Sequence, residues 1–191
     1  MKTFRPSHQN EFSLYSFTGT TEESGKSMET QVYGGGGGGG TYQGTGGTAP
    51  VSISSRTIVH DQLFLVSLEG KERAFQLQDF NLAARKGNRL SVFWGIPSGK
   101  DTGHYIAVKN HSTDQVFYHD KEVSKLFLKS WLQGILLAAG VVLLLSGVLG
   151  GAGLIYTALG GGALFFAWKR WDTAKKEIAN FKAEISSFSG E

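Results

Sequence analysis

The spacing of apolar positions changes character along the chain, and each change predicts a different kind of element. From Trp131 to Trp168 the residues read WLQGILLAAGVVLLLSGVLGGAGLIYTALGGGALFFAW, without a charged side chain. A bilayer core of ~30 Å takes ~20 apolar residues as one helix, so this run is too long for one span and suits two. The pattern predicts a transmembrane hairpin over 121–168, with helices at about Ser130 to Leu149 and Gly153 to Trp168 and a turn near Gly150-Gly151. Beyond it the period shifts. Trp171, Ala174, Ile178, Phe181, Ile185 and Phe188 recur at alternating spacings of three and four, a seam that predicts an amphipathic cytoplasmic helix over 169–191. Val123, Leu126 and Phe127 offer a shorter apolar edge before the run. The seam could dock on that edge and the β domain, self-associate as a short coiled coil, or lie on lipid headgroups with its lysines; docking is the first choice, because partners within one chain have a high effective concentration.

Between 56 and 120 short stretches rich in Val, Ile, Leu, Phe and Tyr alternate with turn residues, which predicts an antiparallel meander. The expected strands are Thr57 to Ser67, Arg73 to Gln78, Arg89 to Ile96, His104 to Asn110 and Gln115 to His119, with one helical turn at Asp79 to Arg85. Glu69-Gly70, Lys86-Gly87-Asn88, Ser98 to Asp101 and Ser112 to Asp114 supply the turn chemistry. The candidate core is Val59, Leu63, Leu65, Phe75, Leu77, Leu90, Val92, Ile106, Val108 and Val116. The pattern resembles small SH3-like or OB-like barrels, which remove open sheet edges by closing. The fold class expected is therefore α+β: a small cytoplasmic β domain, a two-helix transmembrane hairpin and a C-terminal amphipathic helix.

Residues 1–55 lack such periodicity. Gly, Ser, Thr and Glu dominate, and the run Gly34 to Gly40 offers nothing to bury. Such composition predicts a disordered glycine-rich arm, with Phe12, Leu14, Tyr15 and Phe17 as a local sticky patch. Gly25-Lys26-Ser27 ends like a phosphate-binding loop, but the preceding glycine, Gly19, is one position too early and no helix pattern follows.

Charge adds orientation. The net charge of +3 is small, but Lys121, Lys125 and Lys129 precede the apolar run and Lys169, Arg170, Lys175 and Lys176 follow it. Basic flanks stay cytoplasmic, so both termini are expected there, in an integral protein of the cell (inner) membrane. Nothing near the N-terminus has the pattern of a signal peptide. Trp131, Trp168 and Trp171 fall where interfacial anchors belong. Gly140 and Gly147 on the first helix, with Gly153, Thr157 and Gly161 on the second, supply small faces for close helix packing. The absence of charge inside the run disfavours a coupled transporter.

Candidate chemistry is sparse. The chain has no cysteine, which excludes disulfides and thiolate chemistry. His104, His111 and His119 match no local metal-ligand spacing, and the pairs His60-Asp61 and His119-Asp120 point their neighbours to opposite faces of a strand. Neither a nucleophile elbow nor a zinc-protease motif occurs. Arg85, Lys86 and Arg89, with Trp94 nearby, are the candidate contact for lipid headgroups or a partner; the balanced charge of the domain makes nucleic acid a poor fit. The expectation is a membrane-tethered adaptor with no catalysis, cofactor or metal, whose partners are the bilayer, an unidentified protein and, in one variant, further copies of the chain. The alternative is an oligomeric pore or membrane-perturbing protein built from the glycine-rich hairpin.

Overall fold

The computed structural model describes residues 1–35, 52–80, 82–150 and 153–190. The fold is α+β, with one antiparallel sheet and three helices. The strands are β1 (Lys2–Phe4), β2 (Phe12–Gly35), β3 (Ser52–Val66), β4 (Glu72–Gln78), β5 (Arg89–Pro97), β6 (His104–Asn110) and β7 (Gln115–Tyr118). The helices are α1 (Asp120–Phe127), α2 (Ser130–Val148) and α3 (Gly153–Ser186).

The sheet order is β4-β3-β2-β5-β6-β7, with β1 on β2. All five meander strands form within a few residues of their expected bounds, but β4 and β5 are not neighbours. β2 lies between β3 and β5 and joins the two halves. The segment expected to be a disordered arm is thus corrected over Phe12–Gly35, a strand of 24 residues. Its polar composition conceals the reason: Phe12 to Thr20 pair with β5, and Thr20 to Gly35 pair with β3. Backbone pairing supplies what side-chain hydrophobicity does not announce. The remaining glycine-rich stretch, 36–51, lies outside the described residues. Gly25-Lys26-Ser27 sits inside β2, in register with Gln62, Asp61 and His60, so its amides form a ladder instead of a phosphate loop.

β2 changes partner at an irregularity between Thr21 and Glu23. Buried Thr21 is held there by the 85–88 turn: its amide donates to the Asn88 carbonyl (2.8 Å), and the Gly87 amide donates to the Thr21 carbonyl (2.8 Å). Gly19 permits the crossing, because a Cβ there would stand 2.8 Å from the Val66 carbonyl oxygen. The change of partner brings the β3–β4 hairpin over one face of β5 and β6. Leu63, Leu65, Phe75 and Leu77 meet Leu90, Val92 and Val108 in one core, with Phe80 and Leu82 completing it. Barrel closure is not part of the sheet path, which runs from β4 to β7 without a pairing between those ends. The expected helical turn at Asp79 to Arg85 is also corrected: the described residues are irregular, and Asp79 has φ 59°. The buried Asp61 carboxylate accepts from the Leu82 amide there (3.2 Å), which fixes the segment as a core plug.

The other face of the sheet carries the helices. Phe12, Phe93, Ile106 and Ala107 pack with Val123, Leu126 and Phe127 of α1 and with Ala174, Phe181 and Ile185 of α3. Each Phe, Leu, Ile or Val among them contributes about 1.5–3 kcal/mol on burial, and each Ala less. The seam expected after Trp168 therefore docks within the chain. Polar contacts align it: the Tyr118 hydroxyl donates to the Lys182 carbonyl (2.8 Å), Lys182 pairs with Asp120 (2.6 Å), and Lys2 pairs with Glu184.

Among the described residues, α2 is the one helix long and apolar enough to cross a membrane. The two-helix transmembrane hairpin is not found as two separate spans, because the second apolar stretch is the opening of a 34-residue helix that runs on through Lys169 and Arg170. The charge-free part of α3 is about 24 Å long, short of the ~30 Å hydrocarbon core.

Candidate functional site at the exposed apolar helix pair

α2 runs antiparallel to the first half of α3, and small residues set the spacing. A Cβ on Gly140 would stand 2.8 Å from Leu164, one on Gly147 would stand 2.5 Å from the Thr157 amide nitrogen, and one on Gly160 would meet the Gly140 carbonyl oxygen at 2.8 Å and the Leu144 backbone. Gly140 and Gly147 thus lie where the spacing put them. On α3 the contact is made by Gly160, while Gly161 has open space around it. Gly153 also has open space; its φ of 83° serves the entry into α3. Continued helix rotation past Thr157 explains the shift from Gly161 to Gly160, since the face toward α2 advances by three or four residues per turn.

The outward surface of this pair is large and apolar. Val142, Val148, Leu154, Ile155 and Phe165 are each at least 60% exposed, and Gly140 is the one buried residue of α2. An exposed apolar surface of this size marks a site of interaction with a membrane or another protein. Trp131, Trp168 and Trp171 are exposed at the end of the pair nearest the sheet. Lys175 lies 3.6 Å from the centre of the Trp171 ring.

Where the pair meets the sheet domain, polar groups enter the helix contact. Gln133 of α2 donates through Nε2 to the Ala167 carbonyl of α3 (2.7 Å). Its Oε1 is buried and accepts nothing, and the buried Nε of Arg170 donates to nothing. The Arg170 guanidinium lies 5.8 Å from the Phe166 ring centre. Nearby, Ser7 donates from its amide (3.1 Å) and hydroxyl to the Glu177 carboxylate. Burial, and then the positive charge of Arg170, hold the His8 imidazole below its ordinary value, against weaker upward pulls from Glu177 and the Ser7 backbone.

A cavity of about 290 Å³ opens between α1 and the β5–β6 turn, lined by Gln9, Lys100, His104, Glu122, Lys125 and Leu126 among others. Burial pushes the Glu122 carboxyl up, but its hydrogen bond from Lys125 (2.7 Å) and the charges of His104, Lys125 and His119 outweigh it and hold the group below its usual range. The three histidines considered as ligands have separate roles: His104 lines this cavity, His119 caps α1, and His111 bonds Ser91 (2.7 Å). Among the described residues no group of three or more His, Asp or Glu side chains could hold a metal ion.

The basic cluster named from the sequence does not form one patch. Arg85 and Lys86 are exposed, with Lys86 3.8 Å from Glu22. Arg89 donates to the Gly190 carbonyl. Trp94 stacks on Tyr15 with ring centres 5.8 Å apart and receives Arg73 at 4.4 Å. Along β5 Arg89 and Trp94 differ by an odd number of residues, so they face opposite sides of the sheet. The seam residues Phe181 and Ile185 are buried, Ile178 and Phe188 are half-buried, and Trp171 is exposed.

Sequence reasoning missed two features. One is the Gln133–Ala167 hydrogen bond with the unpartnered buried atoms of Gln133 and Arg170, which arise only from the antiparallel packing. The other is the end of the β2–β3 ribbon, where Met28 to Gly35 pair only with Ser52 to Val59 and Met28, Val32 and Ile53 stand exposed. The Val and Tyr content of QVY was the available strand signal, and the glycines after it masked it. Compared with family models, curated proteins and solved structures, the chain finds no match in any of the three.

Proposed function

We propose that this protein is integral to the cell (inner) membrane and holds a cytoplasmic β domain close against the bilayer as a binding platform for a protein partner, without catalysis. The carrying observation is the continuity of α3, whose first half exposes apolar side chains while its second half is packed into the sheet domain. α1 and the end of α3 belong to the same core, so a chain that leaves through α2 has to come back through the start of α3. That supports a helical hairpin in the membrane, its shorter second arm accommodated by local thinning or by snorkelling of the flanking Lys169 and Arg170. Lys129, Lys169 and Arg170 at the domain end favour a cytoplasmic position for both termini. The exposed ribbon, with Met28, Val32 and Ile53 outward, is the surface we assign to the partner.

Single cysteines at Ser124, Leu149 and Ser187 test the topology. Labelling from outside is expected at position 149 alone, and outside labelling at either of the others refutes the arrangement. Crosslinking in the native membrane through position 32 should trap one protein at the ribbon; recovery of lipid only would remove the adaptor reading. A pore built from further copies is the second reading, favoured by the open space around Gly161 and Gly162 on the outer face of α3. Conductance across planar bilayers after confirmed insertion is its test, and silent bilayers reject it.

A further inference from the structure

We propose that the outer face of the β3–β4 hairpin, with β2 beside it, docks an extended basic segment of a partner protein, of the pattern basic-x-apolar-x-basic. The site is separate from the ribbon contact assigned above and does not depend on it. Alternation along the strands divides this part of the sheet into two faces. Leu63, Leu65, Phe75 and Leu77 point into the core. The opposite face carries Glu23 of β2, Phe64 and Val66 of β3, and Glu72 and Ala74 of β4. Met28 and Val32 pair with Val59 and Ser55, which alternate in step with Leu63, so the ribbon contact stands on the other face. Glu23, Phe64 and Ala74 lie opposite one another across three strands, and Val66 and Glu72 lie opposite in the next row of this face. An open cavity of about 690 Å³ covers them. Phe64 is 45% exposed in it, and Leu68 in the following turn is exposed as well. An aromatic side chain bordered by polar groups has the make-up of a docking surface.

Charge selects the occupant. The ionised groups of the cavity are Glu22, Glu23, Glu72 and Arg73. Glu22 stands 3.8 Å from Lys86, and the Arg73 guanidinium is drawn to the core side, 4.4 Å from the centre of the Trp94 ring. Glu23 and Glu72 have no ion pair among the described residues. The face therefore attracts a basic segment and turns away an acidic one. Geometry sets the spacing. Neighbouring strands are ~4.8 Å apart and alternate residues on one face ~7 Å apart, so Glu23 and Glu72 lie on a diagonal of ~12 Å whose middle falls between Phe64 and Val66. Four residues of an extended peptide cover ~13 Å. Its residues i, i+2 and i+4 share one side, so basic groups at i and i+4 reach the two carboxylates while an apolar side chain at i+2 covers Phe64. A small polyamine would meet the charges and leave Phe64 bare.

The test uses the full-length chain in discs of phosphatidylcholine, a lipid without net charge. The probe is a fluorescein-labelled peptide, Lys-Thr-Leu-Thr-Lys-Thr-Leu-Thr-Lys, and binding is read by anisotropy. Saturable binding is expected, weakened severalfold between about 50 and about 500 mM salt. Glu23→Gln and Glu72→Gln should each raise Kd by about two- to fivefold, the range of an exposed ion pair, and the double variant should raise it by about tenfold. Phe64→Ser should raise it by about tenfold, and Val32→Ser, on the other face, should leave it unchanged. Absence of saturable binding, equal binding of the peptide with Glu in place of Lys, or an unchanged Kd in the double variant overturns the proposal. Equal binding of the peptide with Ser in place of Leu, or full displacement by an equimolar amount of spermidine, would assign the face to a simple polycation and overturn it too. A protein trapped through position 32 in any of these cases leaves the ribbon contact standing.

Discussion

The two halves of α3 are one helix with two kinds of surface. Up to Trp168 the helix turns Gly160 inward to α2 and Leu154, Ile155 and Phe165 outward. From Trp171 onward it turns Ala174, Phe181 and Ile185 inward to the sheet and keeps its charged residues at the surface. In the second half burial of apolar area stabilises the contact; in the first, close backbone approach does, which is the packing that would serve it in the lipid proposed for it. The switch occurs over a few residues around Lys169 and Arg170.

That contrast can be broken most strongly from the core side. Phe181 contacts the rings of Phe4, Phe12 and Phe127 with centroids 5.1–5.9 Å apart, so Phe181→Ala should cost about 3–5 kcal/mol, read as a lower urea midpoint of the reconstituted protein. Next comes an arginine on the outer face of each half. Val142→Arg should oppose insertion by about 2.5–3.5 kcal/mol in a glycosylation-mapping assay, whereas Ala179→Arg, on the exposed side of the second half, should leave both insertion and stability unchanged. Equal effects at the two positions would remove the distinction between the halves.

A third probe concerns the glycines. Gly160→Val forces a side chain against the Leu144 backbone and should cost about 1–3 kcal/mol, separating α2 from α3 in a cysteine-crosslinking assay, while Gly161→Val faces open space and should not. The smallest expected effect is a pH dependence confined to the sheet domain. Burial, then the charges of Lys109 and Arg89, hold His111 below its ordinary value, with Asp114 opposing. The unfolded imidazole therefore takes a proton first as pH falls through ~6.5, so stability is complete above that value and declines below it. Urea midpoints at about pH 7.5 and about pH 5.5 should differ in wild type and differ less in His111→Gln, with insertion unaffected.

Much of this architecture could be read from residue order. The strands β3 to β7 and most of their core residues follow from alternation and turn chemistry, and the docked seam follows from its spacing. Leu63, Phe75 and Val108 are buried as expected, while Val59 and Val116 are only partly so, since each lies near the margin of its strand pairing. β2 escaped because its distal half reads TEESGKSMETQ, residues whose strand identity comes from a partner far along the chain. The unpartnered atoms of Gln133 and Arg170 escaped for a related reason: neither residue is unusual in its own helix, and the unmet polar atoms arise only once the two helices pack.

The unbroken course of α3 has a mechanical consequence. From Trp168 to Ser186 the helix is a lever arm about 27 Å long that is fixed to the sheet by its own core contacts. With its other end in the bilayer as proposed, a tilt of about 20° would swing the far end of the domain sideways by about 9 Å. A domain mounted in this way reports bilayer thickness as displacement, which a domain on a slack linker would not do.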